Sequence, residues 1–176
     1  MVHDILASLV QNGFKKMVLI NAHGNNPAIL ELACRKIGSK YNVFPAVTNV
    51  FGMSTSAGKK VRKSPMGGCG GHAGEEETAL MLHLAPELVH MEKTTATDTV
   101  KYRTRFFPGD IYSDIPDKVS GVHWSTWGVI QSKTGAYGDP TYATAETGEV
   151  IFAEMIKNHV EFLKEYYYHS VTSSNE

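Results

Sequence analysis

Met17-Val18-Leu19-Ile20-Asn21-Ala22-His23-Gly24-Asn25-Asn26 is the stretch on which the fold turns. Its opening apolar run, Met17 to Ile20, reads as a strand buried on both faces. Upstream, Ile5, Leu6, Leu9 and Val10 recur at helical spacing, so Val2 to Gln11 reads as an amphipathic helix. Asn12-Gly13 closes it with a residue tolerant of the left-handed conformation followed by glycine. Helix, tight turn and fully apolar strand predict an α/β layer with a parallel sheet. Downstream, Ala28 to Lys40 carries Ile29, Leu32, Ala33 and Ile37 on one face, which predicts a second helix. Val43 to Val50 predicts a second strand, with Pro45 near its start, where a missing donor is tolerated. The resulting α-β-α-β order has crossovers of suitable length for parallel pairing.

The polar half of the opening stretch lies where the first strand ends, and ligands of open α/β sheets bind beyond the carboxyl ends of strands. Imidazole is the commonest metal ligand, and asparagine amides orient it or hold a substrate oxygen. His23 is therefore a candidate metal ligand, and Asn21 and Asn26 are candidate substrate-binding groups. The same residues also fit a plain helix entry, with Asn26 as N-cap and Pro27 at the first helical position. Both readings can hold together.

A second informative stretch runs from Gly67 to Thr78. Four glycines among residues 67–71 let the backbone fold closely, and His72 follows, then Glu75, Glu76 and Glu77 where a helix begins. It reads either as a loop delivering a histidine and an acid to a site, or as a glycine loop before a helix whose acidic first turn complements the macrodipole. The helix is expected over Thr78 to Leu84, stopped by Pro86. Phe51 to Gly71 is expected to be a long loop of the kind that lines or covers sites. Its cluster Lys59, Lys60, Arg62 and Lys63 reads as a solvated loop. Later, Trp124 and Trp127 flank a possible pocket wall, although paired tryptophans also serve as core or interface. Gly135 to Pro140 is a turn cluster. Ile151, Met155, Val160 and Leu163 predict a long helix from Thr144 to near Tyr167, and residues 169–176 form a polar tail.

A chain of 176 residues with 42% apolar and 20% charged content is read as one globular domain, residues 1–168 before the tail. Its net charge of −1 supplies no field for nucleic acid or for an anionic membrane surface. No apolar run approaches a membrane span, and the first residues lack the charged-then-apolar order expected of a secretory signal. Cys34 and Cys69 make no disulfide framework, so a cytoplasmic, reducing location is expected, with Cys34 in the core.

The chemistry narrows by elimination. Gly68-x-Gly70-x-x-Ala73 fits a dinucleotide fingerprint, but Lys59 to Pro65 before it is charged and proline-broken rather than a buried strand. The phosphate-loop Gly-Lys-Ser/Thr and the zincin H-E-x-x-H are absent. Cys69 and His72 as a nucleophile pair would lack an orienting third group. A hydrolytic metal site fits better. His23 and Glu77 are the best ligand pair, each at the end of an element, and His72 can protonate a leaving nitrogen. Glu75 and Glu76 are expected to face solvent as dipole partners.

These motifs resemble a known family. Asn21-Ala22-His23-Gly24-Asn25-Asn26 resembles the N-G-H-G-G-N motif of the creatininase (creatinine amidohydrolase) family. His72-Ala73-Gly74-Glu75-Glu76-Glu77-Thr78 is similar to its H-A-G-x-x-E-T motif. Gly135-Ala136-Tyr137-Gly138-Asp139-Pro140 and Ala143-Thr144-Ala145-Glu146-x-Gly148 are similar to its C-terminal segment. The resemblance covers nearly the whole chain. It implies a three-layer α/β/α fold with a mostly parallel sheet, and a homo-oligomer, often a hexamer. It also implies hydrolysis of a non-peptide or cyclic amide C–N bond in a small molecule, at a site holding two divalent metals, commonly zinc, manganese or iron. His23 falls on a metal ligand of the family, Glu77 on a carboxylate that binds metal in many members, and His72 on the acid/base.

The chain departs from the pattern in three places. The family's remaining ligands, a Glu-x-His pair and an aspartate, belong to an N-terminal part that precedes the helix at Val2. The chain is therefore expected to match the C-terminal two-thirds of the fold and to lack the N-terminal strand or strands. Asn25 stands where creatininase itself has a metal-binding glutamate, which argues against creatinine as substrate. Ala79 replaces the serine that usually follows E-T. The expected function is a metal-dependent amidohydrolase. The alternative is a non-catalytic subunit or inactive fragment that keeps the fold and the oligomer surface.

Overall fold

The computed structural model describes residues 1–65, 71–94, 104–106, 117, 119, 122 and 135–169. These residues group into two units, Met1–Ser54 with Met155–Glu176, and Thr55–Glu154.

In the first unit, α1 (Val2–Gln11) leads into β1 (Val18–Asn21), α2 (Pro27–Tyr41) and β2 (Ala46–Asn49). The strands pair in parallel, with Val18, Leu19, Ile20 and Asn21 opposite Ala46, Val47, Thr48 and Asn49. The mixed α/β class with a parallel sheet is as expected. Helix α1 has its predicted bounds, and Gly13 takes the left-handed position after it, at φ +92°. The core gathers Leu6, Met17, Ala33, Cys34, Ile37 and Val43, with Leu19 and Val47 packed against it.

Side chains alternate across a strand, so Thr48 faces away from Val47. There its hydroxyl meets His159 Nε2 at 3.1 Å, on the C-terminal half of α5 (Ala145–Tyr168). Helices thus cover β2 on both faces, which is the layer order the resemblance implies. The same half of α5 also ties down the sheet's N-terminal edge. The Tyr166 hydroxyl lies 2.5 Å from the Phe44 carbonyl and bonds Met17, while Lys16 Nζ reaches the Tyr166 carbonyl at 3.2 Å.

Several expectations need correction here. β1 is not buried on both faces, because Ile20 is 61% exposed beside the covered Thr48; α5 covers β2 and leaves its neighbour open. β2 starts at Ala46 rather than Val43, whose side chain goes into the core beyond the ladder. On α2 the buried face is Ala33, Cys34 and Ile37, while Ile29 and Leu32 are exposed. Small residues let α1 and β2 approach this helix, so the bulkier pair is turned outward.

The second unit begins with α3 (Thr55–Val61), in a segment expected to be a loop. Its helicity comes from tertiary contacts that the residue pattern does not show. Ala57 and Gly58 are buried, and the Ala57 N–H donates to Glu154 Oε2 at 2.6 Å, satisfying a donor the helix start cannot. Lys59 and Lys60 then fall in its last turn, where cations complement the dipole. Helix α4 (Glu75–Leu84) begins three residues before the expected Thr78, so the acidic triplet is its first turn. Short 3₁₀ turns follow at Pro86–Leu88 and Met91–Lys93, with another at Pro140–Tyr142 before α5. Thr144 caps α5, its hydroxyl accepting from Thr147 N at 3.2 Å. Gly148 on α5 lies against α4 so closely that a Cβ there would come 2.0 Å from the Ala79 carbonyl oxygen. That contact is a physical reason for glycine at this place.

Candidate active site

In the first unit the polar cluster stands at the carboxyl end of the sheet. Asn21 is buried and organises it. Its Nδ2 donates to the His23 carbonyl at 2.8 Å and to Asn49 Oδ1 at 2.6 Å. Its Oδ1 accepts from His23 N and from Asn26 Nδ2, both at 3.2 Å. An amide offers two donor and two acceptor places, and all are used here. Asn21 therefore has no capacity left for a substrate in this arrangement; it clamps the backbone of His23 from both sides. Asn26 precedes α2 as expected, with Pro27 at the first helical position, but its side chain makes no cap bond. It turns back to Asn21 instead. The His23 ring itself is exposed. Asn49, which the residue pattern did not single out, occupies the register position opposite Asn21. The rule that drew attention to the end of β1 applies equally to the end of β2.

The second unit holds His72 and Glu77. His72 and Tyr137 form an antiparallel bridge, exchanging N–H···O bonds of 2.8 and 2.6 Å. Two of the segments that carry the family resemblance are thus tied to each other backbone to backbone. Gly71 makes the approach possible, because a Cβ there would meet the Tyr137 carbonyl oxygen at 2.0 Å and its φ is +103°. Ala73 sits at φ +50°, a conformation that non-glycine residues adopt mostly under constraint. The constraint is visible: Ala73 N donates to Glu77 Oε2 at 2.8 Å, a reach-back from the third helical residue like that of a capping box. Glu77 thus holds the His72–Gly74 turn with one oxygen.

Glu75 and Glu76 do not face solvent, as the dipole argument predicted; both are buried. Glu75 accepts from Lys63 N at 2.8 and 3.1 Å and from Ser64 N at 2.7 Å. The chain leaving α3 needs partners for these amides, and that need draws the carboxylate inward. Glu77 and Thr78 line a cavity of about 400 Å³, along with Met81, Leu88, Val89, His90 and Lys93. No helical or strand period marks His90 and Lys93, so nothing in the residue pattern pointed to them.

His72 and Glu77 share the second unit, while Asn21, His23 and Asn26 belong to the first. Trp124, Trp127 and Cys69 lie outside the described residues, as do Gly67 to Gly70 and the tail from residue 170. Imidazole and carboxylate suit a borderline divalent ion in kind. In number, His23 and Glu77 fall short of the roughly three or four protein ligands of a zinc site. Among the described residues, no three His, Cys, Asp or Glu side chains gather as a metal cluster. The described donor set therefore does not by itself complete a metal site. No helix among the described residues is long and apolar enough to cross a membrane.

The family model described as creatinine amidohydrolase matches residues 1–163. A mycofactocin precursor peptide peptidase from Mycobacterium ulcerans is 30% identical over 148 residues, covering 82% of this chain and 46% of that protein. Its counterpart from Mycobacterium tuberculosis H37Rv is 28% identical, covering 83% and 47%. The chain thus spans about half the length of these curated relatives. Among solved structures, a candidate creatinine amidohydrolase from Bacteroides fragilis NCTC 9343 superposes with a TM-score of 0.73 at 25% identity, over 98% of this chain and 62% of that one. A manganese creatininase gives a TM-score of 0.67 at 22% identity, over 96% and 63%, which is a likeness of fold.

Proposed function

This chain belongs to the creatininase family, and from that premise we propose that it is an amidohydrolase that cleaves an amide C–N bond with the help of divalent metal. The observation that carries the reading is the second-unit arrangement. His72 is pinned by Tyr137 on one side, and its turn is held on the other by Glu77, which also lines the cavity. An imidazole fixed through its backbone keeps its side chain available to hand a proton to a departing nitrogen. His23 of the first unit and Glu77 of the second are each proposed as a metal donor. A bound divalent ion lowers the pKa of water and polarises a carbonyl oxygen. Zinc, manganese or iron, two per complete site, is the proposed complement, and the likeness to a manganese creatininase and to a Zn-Zn type creatininase variant supports zinc or manganese.

Asn21 serves His23 by clamping its backbone, and Asn26 by closing that clamp. The substrate is an amide of small size. The family resemblance favours a non-peptide or cyclic C–N bond, whereas the peptidase names of the relatives favour a short peptide. The proposed working form is a cytoplasmic homo-oligomer, a hexamer by resemblance. A second reading, a non-catalytic subunit that keeps the fold, is favoured by one observation: the incomplete donor set among the described residues.

Metal content separates the two. Two equivalents per chain, retained through purification without chelator and lost together with amide hydrolysis in His23→Ala, are expected for the enzyme. Less than one equivalent in the wild type, with no hydrolysis of cyclic amides or short peptides, favours the non-catalytic subunit.

A further inference from the structure

The cavity of the second unit has a lining more specific than a general amide site needs. Apolar Met81, Leu88 and Val89 share it with Glu77, His90 and Lys93. Its volume of about 400 Å³ is that of a small-molecule site. His90 is the N-cap of the 3₁₀ turn Met91–Lys93 and Lys93 its last residue, and both line the cavity. His90 Nδ1 is 3.2 Å from Glu92 Oε1, which leaves Nε2 for a ligand. Among the described residues, no carboxylate pairs with Lys93, and Glu77 spends its one described bond on Ala73. An ammonium and a carboxylate therefore face one cavity without neutralising each other.

An apolar wall, a cation on a flexible stem and a second donor suit one ligand class. We propose that this cavity binds amides bearing a free carboxylate next to an apolar side chain, with Lys93 anchoring the carboxylate and His90 Nε2 as the second donor. The apolar side chain rests on Met81, Leu88 and Val89, and the amide lies toward Glu77. The assignment rests on the amidohydrolase reading of Glu77 and narrows its substrate. An N-acylated apolar amino acid and the C-terminal end of a peptide share this chemistry.

The test is calorimetric binding to the full chain as purified. N-acetyl-L-leucine is compared with N-acetyl-L-leucinamide, and Gly-Gly-Leu with its C-terminal amide. The acids are expected to bind at least about tenfold more tightly than the amides, the loss of a charge-assisted hydrogen bond. Lys93→Gln removes that preference and Lys93→Arg keeps it, with thermal stability unchanged because Lys93 is exposed. Tight binding of the peptide acid alone assigns the site to peptide C-termini, and tight binding of both acids assigns it to either source. Equal binding of acid and amide, or a Lys93→Gln variant that keeps the preference, overturns the proposal. Hydrolysis of amides without carboxylate preference also overturns it while leaving the amidohydrolase reading standing. Carboxylate-selective binding without hydrolysis does the reverse.

Discussion

His72 and Tyr137 hold each other by two backbone hydrogen bonds, 2.8 Å from His72 N to Tyr137 O and 2.6 Å in return, across 65 residues of sequence. The proposed acid/base is therefore positioned by the C-terminal G-A-Y-G-D-P segment as much as by its own loop. Tyr137 is itself buried, so the anchor is rigid.

Gly71→Ala tests that anchor. The new methyl would lie 2.0 Å from the Tyr137 carbonyl oxygen on a backbone at φ +103°, so the bridge must open. The expected cost is about 1–3 kcal/mol in chemical denaturation. Amide hydrolysis should fall further than Gly13→Ala lowers it, since nothing lies within 4 Å of a Cβ at Gly13.

Gly148→Ala probes the contact between α5 and α4. A methyl placed 2.0 Å from the Ala79 carbonyl oxygen and 2.9 Å from His83 Cβ forces the helices apart. Overpacking of this kind costs about 1–3 kcal/mol, read as a fall in Tm of roughly 2–4 °C per kcal/mol for a chain of this size.

Asn21→Ala removes four hydrogen bonds at once and leaves Asn49 Oδ1 and the His23 N–H without these partners, while the His23 carbonyl keeps the Asn26 N–H. The expected destabilisation is about 1–3 kcal/mol. Because the clamp orients a proposed ligand, metal affinity should also fall, by about 10–100-fold. Titration of zinc or manganese into the chelator-stripped variant checks this, and unchanged affinity with reduced stability would assign Asn21 a purely structural role.

Stability should decline at alkaline pH. Burial pushes the Cys34 thiol up, and the nearby Glu31 charge adds to it; burial likewise pushes the Tyr166 phenol up. In both cases the folded pKa lies above the unfolded one, so the unfolded chain binds fewer protons once pH passes the unfolded values. The contribution is complete below about pH 8 and is lost as pH rises through the folded values. Urea midpoints measured from pH 7 to 10.5 should fall, and Cys34→Ala should flatten part of the decline. Alkylation of Cys34 should be slow until the protein unfolds.

What could be read from the residues alone followed periodicity. Helix α1 and the β1–α2–β2 order stand on apolar spacing and an apolar run, which local sequence encodes directly. Helix α3 was hidden because Thr55–Val61 has no apolar stripe and depends on Glu154, a residue 97 positions away, to cap it. Glu75 and Glu76 defeated the dipole argument for a related reason. The amides of Lys63 and Ser64 demand an acceptor, and a local rule about helix ends cannot see them. His23, His72 and Glu77 stand out in the sequence as motif residues at element ends. Asn49, His90 and Lys93 do not, because their places arise from strand register and an aperiodic turn, and the bridge of Tyr137 to His72 is a long-range contact that its G-A-Y-G-D-P motif does not show.

The most direct measurement is the rate of amide hydrolysis by the metal-supplemented full chain, wild type against His72→Gln, with metal content determined on both. The account predicts a loss of about 10²–10⁴-fold in the variant with metal content unchanged, as expected for removal of a general acid. A His72→Gln enzyme that hydrolyses at the wild-type rate would contradict it.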